Sequence, residues 1–175
     1  DQTPFEDQIK EQLSDVEFPF SVLRGFCFKE GSYTAVIHRE KDGKKVLMDL
    51  EEGDTTDSMY GIAIDIGTTT VSALLIDMKS GEILGKASSG NGQIRYGADV
   101  INRIIESMKP GGSEKLQKAV IQETINPMIQ QMCRASGFKP EHIYRLSIAS
   151  NTTMNHLLTG MNGDPIRMEP YIPAF

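Results

Sequence analysis

Two apolar runs flank Asp65-Ile66-Gly67-Thr68-Thr69-Thr70, and no other stretch restricts the fold of this chain as strongly. Runs of that length and composition read as strands, and so short a link makes them antiparallel neighbours. The link also carries chemistry. Glycine lets backbone approach a ligand closely, N–H groups and hydroxyls can donate to phosphate oxygens, and a carboxylate at a strand end can hold hydrated Mg²⁺. Asp65, Gly67, Thr68, Thr69 and Thr70 supply all three. A plain tight turn uses Asp, Gly and Thr as well, but three consecutive threonines exceed what a turn requires.

Downstream, a turn at 77–81 and a strand at 82–87 complete a meander. Residues 98–108 follow with Val100, Ile101, Ile104, Ile105 and Met108 on one face, the spacing of a packed helix. Ser113 is expected to cap a second helical stretch whose apolar stripe runs from Leu116 to Met132 and which stops at Gly137. Pro127 should kink it or split it in two. Residues 143–149 read as a buried strand and 152–158 as a short helix ending at Gly160. The expected class is α/β with a β-β-β-α-β-α core. That order resembles the ribonuclease H-like subdomain of actin, Hsp70 and the sugar kinases, in which the turn between the first two strands wraps the phosphates of ATP.

The first fifty residues suggest a small α+β unit. Thr3-Pro4 has the look of an N-cap followed by Pro at the first helical position, with Phe5, Ile9 and Leu13 recurring every four residues. After Pro19 the runs 20–28 and 33–37 read as strands, and Asp42-Gly43 marks a hairpin leading into Val46-Leu47-Met48. The acidic, aperiodic stretch 51–58 sets the expected boundary between a domain at 1–57 and another at 58–175.

Composition narrows the function. A net charge of −6, a pI near 5.1 and scattered basic residues argue against nucleic acid as a partner. No apolar run approaches the ~20 residues that a membrane helix needs. Cys27 and Cys133 lack a CxxC companion, and His38, His142 and His156 are dispersed, so a metal cage built from this chain alone is not expected. The absence of an initiator Met points to a piece cut from something longer.

Three strings then narrow the resemblance: Tyr60-Gly-Ile-Ala-Ile-Asp-Ile-Gly-Thr-Thr-Thr70, Asn91-Gly-Gln93 with Tyr96-Gly-Ala-Asp-Val-Ile-Asn-Arg-Ile104, and Ser150-Asn-Thr-Thr-Met-Asn-His-Leu-Leu-Thr-Gly160. Together they resemble the reductive activators of corrinoid-dependent enzymes, ATPases of the actin/Hsp70 superfamily that carry a ferredoxin domain. The resemblance implies ATP and Mg²⁺ as cofactors, a corrinoid protein or methyltransferase as partner, and a cytoplasmic location. It further implies that an Fe–S cluster passes one electron to an inactive Co(II) corrinoid, with ATP making Co(I) reachable.

The chain also departs from that family. Ser150 stands where the family string has Gly, Asn91-Gly-Gln93 replaces Asn-Pro-Gln, and there is no cysteine framework for a [2Fe–2S] cluster. The cluster is therefore expected in an N-terminal domain outside this sequence. The second subdomain's Asp-Gly-Gly phosphate loop and adenosine-binding glycine pair do not occur either. This chain alone is thus expected not to turn ATP over, and apolar surface exposed in place of that subdomain would favour a homodimer.

Asp65 is expected to organise Mg²⁺ through water, and Gly67, Thr68, Thr69, Thr70 and Thr152 to contact phosphate. Asn151 would orient a water or a phosphate, or cap a helix. Asp99 reads as a cap, His156 as a packed or surface side chain rather than a cobalt ligand, and Met128, Met132, Met154 and Met161 as core. Two other functions stay open: a related activator or small-molecule kinase on the same fold, and a nucleotide-sensing or docking module without catalysis.

Overall fold

A computed structural model describes residues 4–25 and 29–173, and the chain divides into two compact units, Asp1–Ser58 and Met59–Phe175. In the first, helix α1 (Phe5–Gln12) starts from Pro4 at its N-cap, one position later than expected. Thr3 and the Phe5 side chain lie outside the described residues, but Ile9 and Leu13 pack on Val16, Leu47 and Leu50. Strand β1 (Val16–Glu17) follows, then helix α2 (Phe20–Gly25), which replaces the strand expected at 20–28. Pro19 explains the difference: its carbonyl accepts from the N–H groups of Val22 at 3.0 Å and Leu23 at 3.4 Å, which starts a helical turn. An apolar run of that length does not by itself separate helix from strand. Residues 26–28, with Cys27, lie outside the described residues.

Strands β2 (Tyr33–Arg39) and β3 (Lys45–Glu52) form the expected hairpin, and β3 also pairs in parallel with β1. At the turn Gly43 takes φ 91°, a conformation that favours glycine, and the Lys44 N–H donates to Asp42 Oδ1 at 3.0 Å.

The second unit is built on a four-stranded sheet of β4 (Tyr60–Ile66), β5 (Thr70–Asp77), β6 (Ile83–Gly90) and β7 (Ile143–Ser150), in the order β6-β5-β4-β7. The first three form the antiparallel meander, and β7 lies parallel to β4. Strand periodicity puts Ile62, Ile64, Ile66, Val71, Ala73 and Leu75 on one face, where they are buried against Leu116, Val120, Met128 and Met132. Between β6 and β7 run α3 (Val100–Ser107), α4 (Gly112–Val120) and α5 (Asn126–Ser136), and β7 is followed by α6 (Thr152–Thr159) and α7 (Asp164–Arg167).

Pro127 splits the long helical stretch as expected. A widened π turn at Ile121–Ile125 precedes it, and Gly137 closes α5 with φ 74°. Such a turn absorbs the missing N–H and the ring's clash with the preceding turn.

Four expectations are corrected. Ser113 is not a cap, because α4 begins at Gly112 after Gly111 in the left-handed region. On α3 the buried positions are Arg103 and Ile104, while Ile101, Ile105 and Met108 are exposed: the inward stripe is rotated and an arginine fills part of it. Strand β7 is not buried. It pairs with β4 alone while α5 packs over β5 and β6, so Leu146 and Ile148 stay 51% and 36% exposed. Met128, Met132 and Met154 are core, but Met161 follows the end of α6 and is exposed.

Candidate phosphate-binding site

The site forms where β4 and β7 end side by side, with Asp65 opposite Ala149 and Ile66 opposite Ser150. Parallel neighbours deliver both following loops to the same end of the sheet, where ligands of open α/β sheets bind. After β4 the chain reverses through 67–69 into β5, and the Gly67 N–H donates to Thr70 O at 2.9 Å. This bend needs glycine for space: a Cβ on Gly67 would stand 2.7 Å from the Thr70 carbonyl oxygen. Thr69 and Thr70 are exposed and Thr68 is half-buried. Asp65 alternates with buried Ile64 and Ile66, so its carboxylate is exposed on the sheet face away from the core. There it borders an open depression of about 380 Å³ lined also by Ala63, Ser72, Leu74, Ser147 and Ala149.

After β7, Asn151 caps α6 by accepting from the Met154 N–H at 2.9 Å, and its amide reaches Thr68 Oγ1 at 3.4 Å. Both roles considered for Asn151 are therefore compatible with its position, since capping uses the oxygen and leaves the NH₂ facing the bend. Thr152 is exposed at the first position of α6. The Ser150 hydroxyl donates to Asn155 Oδ1 at 2.6 Å and so turns toward α6.

Asn91 and Gln93, which the sequence offers only as part of a motif, support the bend from behind. Asn91 is buried. Its N–H donates to Thr69 O at 2.8 Å, its Nδ2 to Gly67 O at 2.9 Å, and its Oδ1 accepts from Gln93 N at 3.0 Å. Gln93 in turn donates to Leu116 O at 3.0 Å. A glycine follows Asn91 because a Cβ on Gly92 would lie 2.7 Å from Ala119 O. Only the Asn-Gly-Gln string signalled this clamp in the sequence. Asp99 is a cap, accepting from Asn102 N and Nδ2 at 2.8 Å each. His156 is fully buried with Nδ1 2.8 Å from Thr152 O, a packed position with no open path to a ligand.

Elsewhere among the described residues, no group of three or more His, Cys, Asp or Glu side chains could hold a metal ion, and no helix is long and apolar enough to cross a membrane. Cys133 is buried, and burial pushes its thiol pKa up, with Glu141 adding to the shift. A second depression, of about 470 Å³, lies in the first unit between α1 and β2 and is lined by Gln8, Ile9, Gln12, Leu13 and Tyr33. Among the described residues its lining offers no carboxylate or cation, so the end of β4 is the stronger candidate.

A family model described as the RACo middle region matches residues 60–175. The chain belongs to that family. It is also 34% identical over 158 residues to "Corrinoid activation enzyme RamQ" of Eubacterium limosum, covering 87% of this chain and 26% of that protein. Among solved structures, "Reductive activator for corrinoid,iron-sulfur protein" is 35% identical with a TM-score of 0.76, covering 96% of this chain and 27% of that one. The chain thus spans about a quarter of the length of these relatives.

Proposed function

We propose that this chain is part of an ATP-dependent reductive activator, which returns an inactive Co(II) corrinoid protein or methyltransferase to Co(I). The observation that carries the reading is the convergence of Asp65, Gly67, Thr68 and Asn151 at one end of the sheet. Two relatives named for corrinoid activation support it. In this reading 58–175 is the first ribonuclease H-like subdomain of an actin/Hsp70-type ATPase, and 1–57 is a small middle or linker domain.

The residues present fit MgATP. The Gly67 cradle is one a Cβ would fill, exposed threonines surround it, and a single exposed carboxylate suits an ion that keeps most of its water. Bound Mg²⁺ would neutralise phosphate charge. Asp65 would hold that ion through water, Thr68, Thr69, Thr70 and Thr152 would bind phosphate oxygens, and the Asn151 amide would orient a phosphate or an attacking water. The described residues do not fit a [2Fe–2S] cluster, since Cys133 is buried and alone. We place that cluster, and the second nucleotide-clamping subdomain, in other parts of a longer cytoplasmic protein; without that subdomain, the chain by itself would pair as a homodimer. The isolated chain would then be inactive.

Ligand binding to the folded state raises stability by mass action. MgATP at 100 times its Kd should stabilise the full-length protein by about 2.7 kcal/mol, read as an upward shift in melting temperature. No shift at millimolar MgATP would rule the reading out.

A further inference from the structure

Behind the phosphate loop lies a charge that the chain does not neutralise. Arg103, the fourth residue of α3, is fully buried. Its Nε donates to Gly97 O at 2.8 Å, Nη1 lies 3.5 Å from Met154 Sδ, and Nη2 has no hydrogen-bond partner. Among the described residues, the groups in contact with it are a backbone carbonyl and a thioether, and neither carries a negative charge. Residue 103 lies near the start of α3 and Met154 is the third residue of α6, so the guanidinium sits beside two helix N-termini, both positive ends. Asp99 is the acidic group that acts on it, but that carboxylate is exposed and already accepts twice from Asn102. Burial accordingly pushes the arginine pKa down, against the smaller opposing pull of Asp99. A buried cation without a paired anion is destabilising, so its presence calls for compensation.

The compensation has a direction. Met154 Sδ is 3.8 Å from Asn91 Nδ2, which donates to Gly67 O at 2.9 Å, so short contacts run from Arg103 to the phosphate loop. At that range, within a water-poor interior, screening is weak. We propose that Arg103 is a positioning residue of the phosphate loop, holding Met154 and through it Asn91 behind Gly67, and that its charge is completed by the phosphates of a nucleotide bound there. This rests on the nucleotide reading above. Before a ligand arrives the charge is a burden. Once polyphosphate is bound it becomes favourable, which couples occupancy of the loop to the packing of α3 against α6.

The test compares wild type, Arg103→Met and Arg103→Lys in the full-length protein, by MgATP titration and by melting without nucleotide. Arg103→Met should bind MgATP about tenfold more weakly, and Arg103→Lys, which keeps the charge, should stay within about threefold of wild type. Without nucleotide, Arg103→Met should melt at or above the wild-type temperature, because removing an unpaired buried charge offsets the lost bond to Gly97. Unchanged MgATP affinity in Arg103→Met, or equal weakening in both variants, would overturn the proposal. So would a drop in nucleotide-free melting or a failure of Arg103→Met to fold, either of which would show the charge to be matched within the protein. A wild-type protein that binds no MgATP removes the nucleotide reading itself and this inference with it.

Discussion

Asp65→Asn should lower MgATP-dependent corrinoid reduction by the full-length protein by about 10²–10³-fold, the usual cost of deleting one preorganised electrostatic contact. The substitution is isosteric and removes only the charge. Asp65 is exposed, and its backbone pairing with Ser72 and Ala149 does not involve the carboxylate. Stability should therefore change by no more than ~0.5 kcal/mol. Measuring the rate and the melting temperature side by side separates a lost ion contact from a lost fold. Full activity in Asp65→Asn would remove the proposed Mg²⁺ role and leave the bend as a plain turn.

The largest stability effect is expected at Gly112, where α4 begins after a four-residue turn, 108–111, from the end of α3. A Cβ there would stand 1.8 Å from Glu106 O and 2.9 Å from the Glu106 carbonyl carbon, both backbone atoms that no rotamer change can move. The corner is already tight. The Gly112 N–H donates to Lys109 O at 2.8 Å, and Gly111 turns the chain with φ 70°. Alanine must push α4 outward, and α4 carries Leu116 and Val120 of the core. Overpacking of this kind costs up to ~3 kcal/mol. In a unit of this size that lowers the melting temperature by roughly 10 °C. Wild-type melting of Gly112→Ala would show that the two helices can separate freely at this corner.

The strands of the second unit were legible because turn residues bound each apolar run: Gly67-Thr-Thr between β4 and β5, and Met78 to Glu82 between β5 and β6. The Asp77 carboxylate fixes the second turn by accepting from Lys79 N at 2.7 Å, a local bond between residues two apart in sequence. Residues whose roles arise from long-range packing were harder to read. Asn91 supports a loop 24 residues earlier, and Arg103 meets Met154, 51 residues later. Periodicity alone placed Ile101 and Ile105 in the core, since it registers which positions share a face and not which neighbour that face meets. The exposed β7 has the same origin: Leu146 and Ile148 carry a strand signal whether or not anything covers them. At 20–25, a backbone start supplied by Pro19 outweighed an apolar composition that suits strand equally well.

The central claim is that nucleotide at the Asp65–Thr70 bend makes an unfavourable electron transfer possible. It is tested most directly by mixing the reduced full-length protein with its Co(II) corrinoid partner anaerobically and following the cobalt spectrum with and without MgATP. The account predicts that Co(I) accumulates only when MgATP is present and that Asp65→Asn abolishes the difference. Co(I) formed equally fast and to the same extent without nucleotide would contradict it.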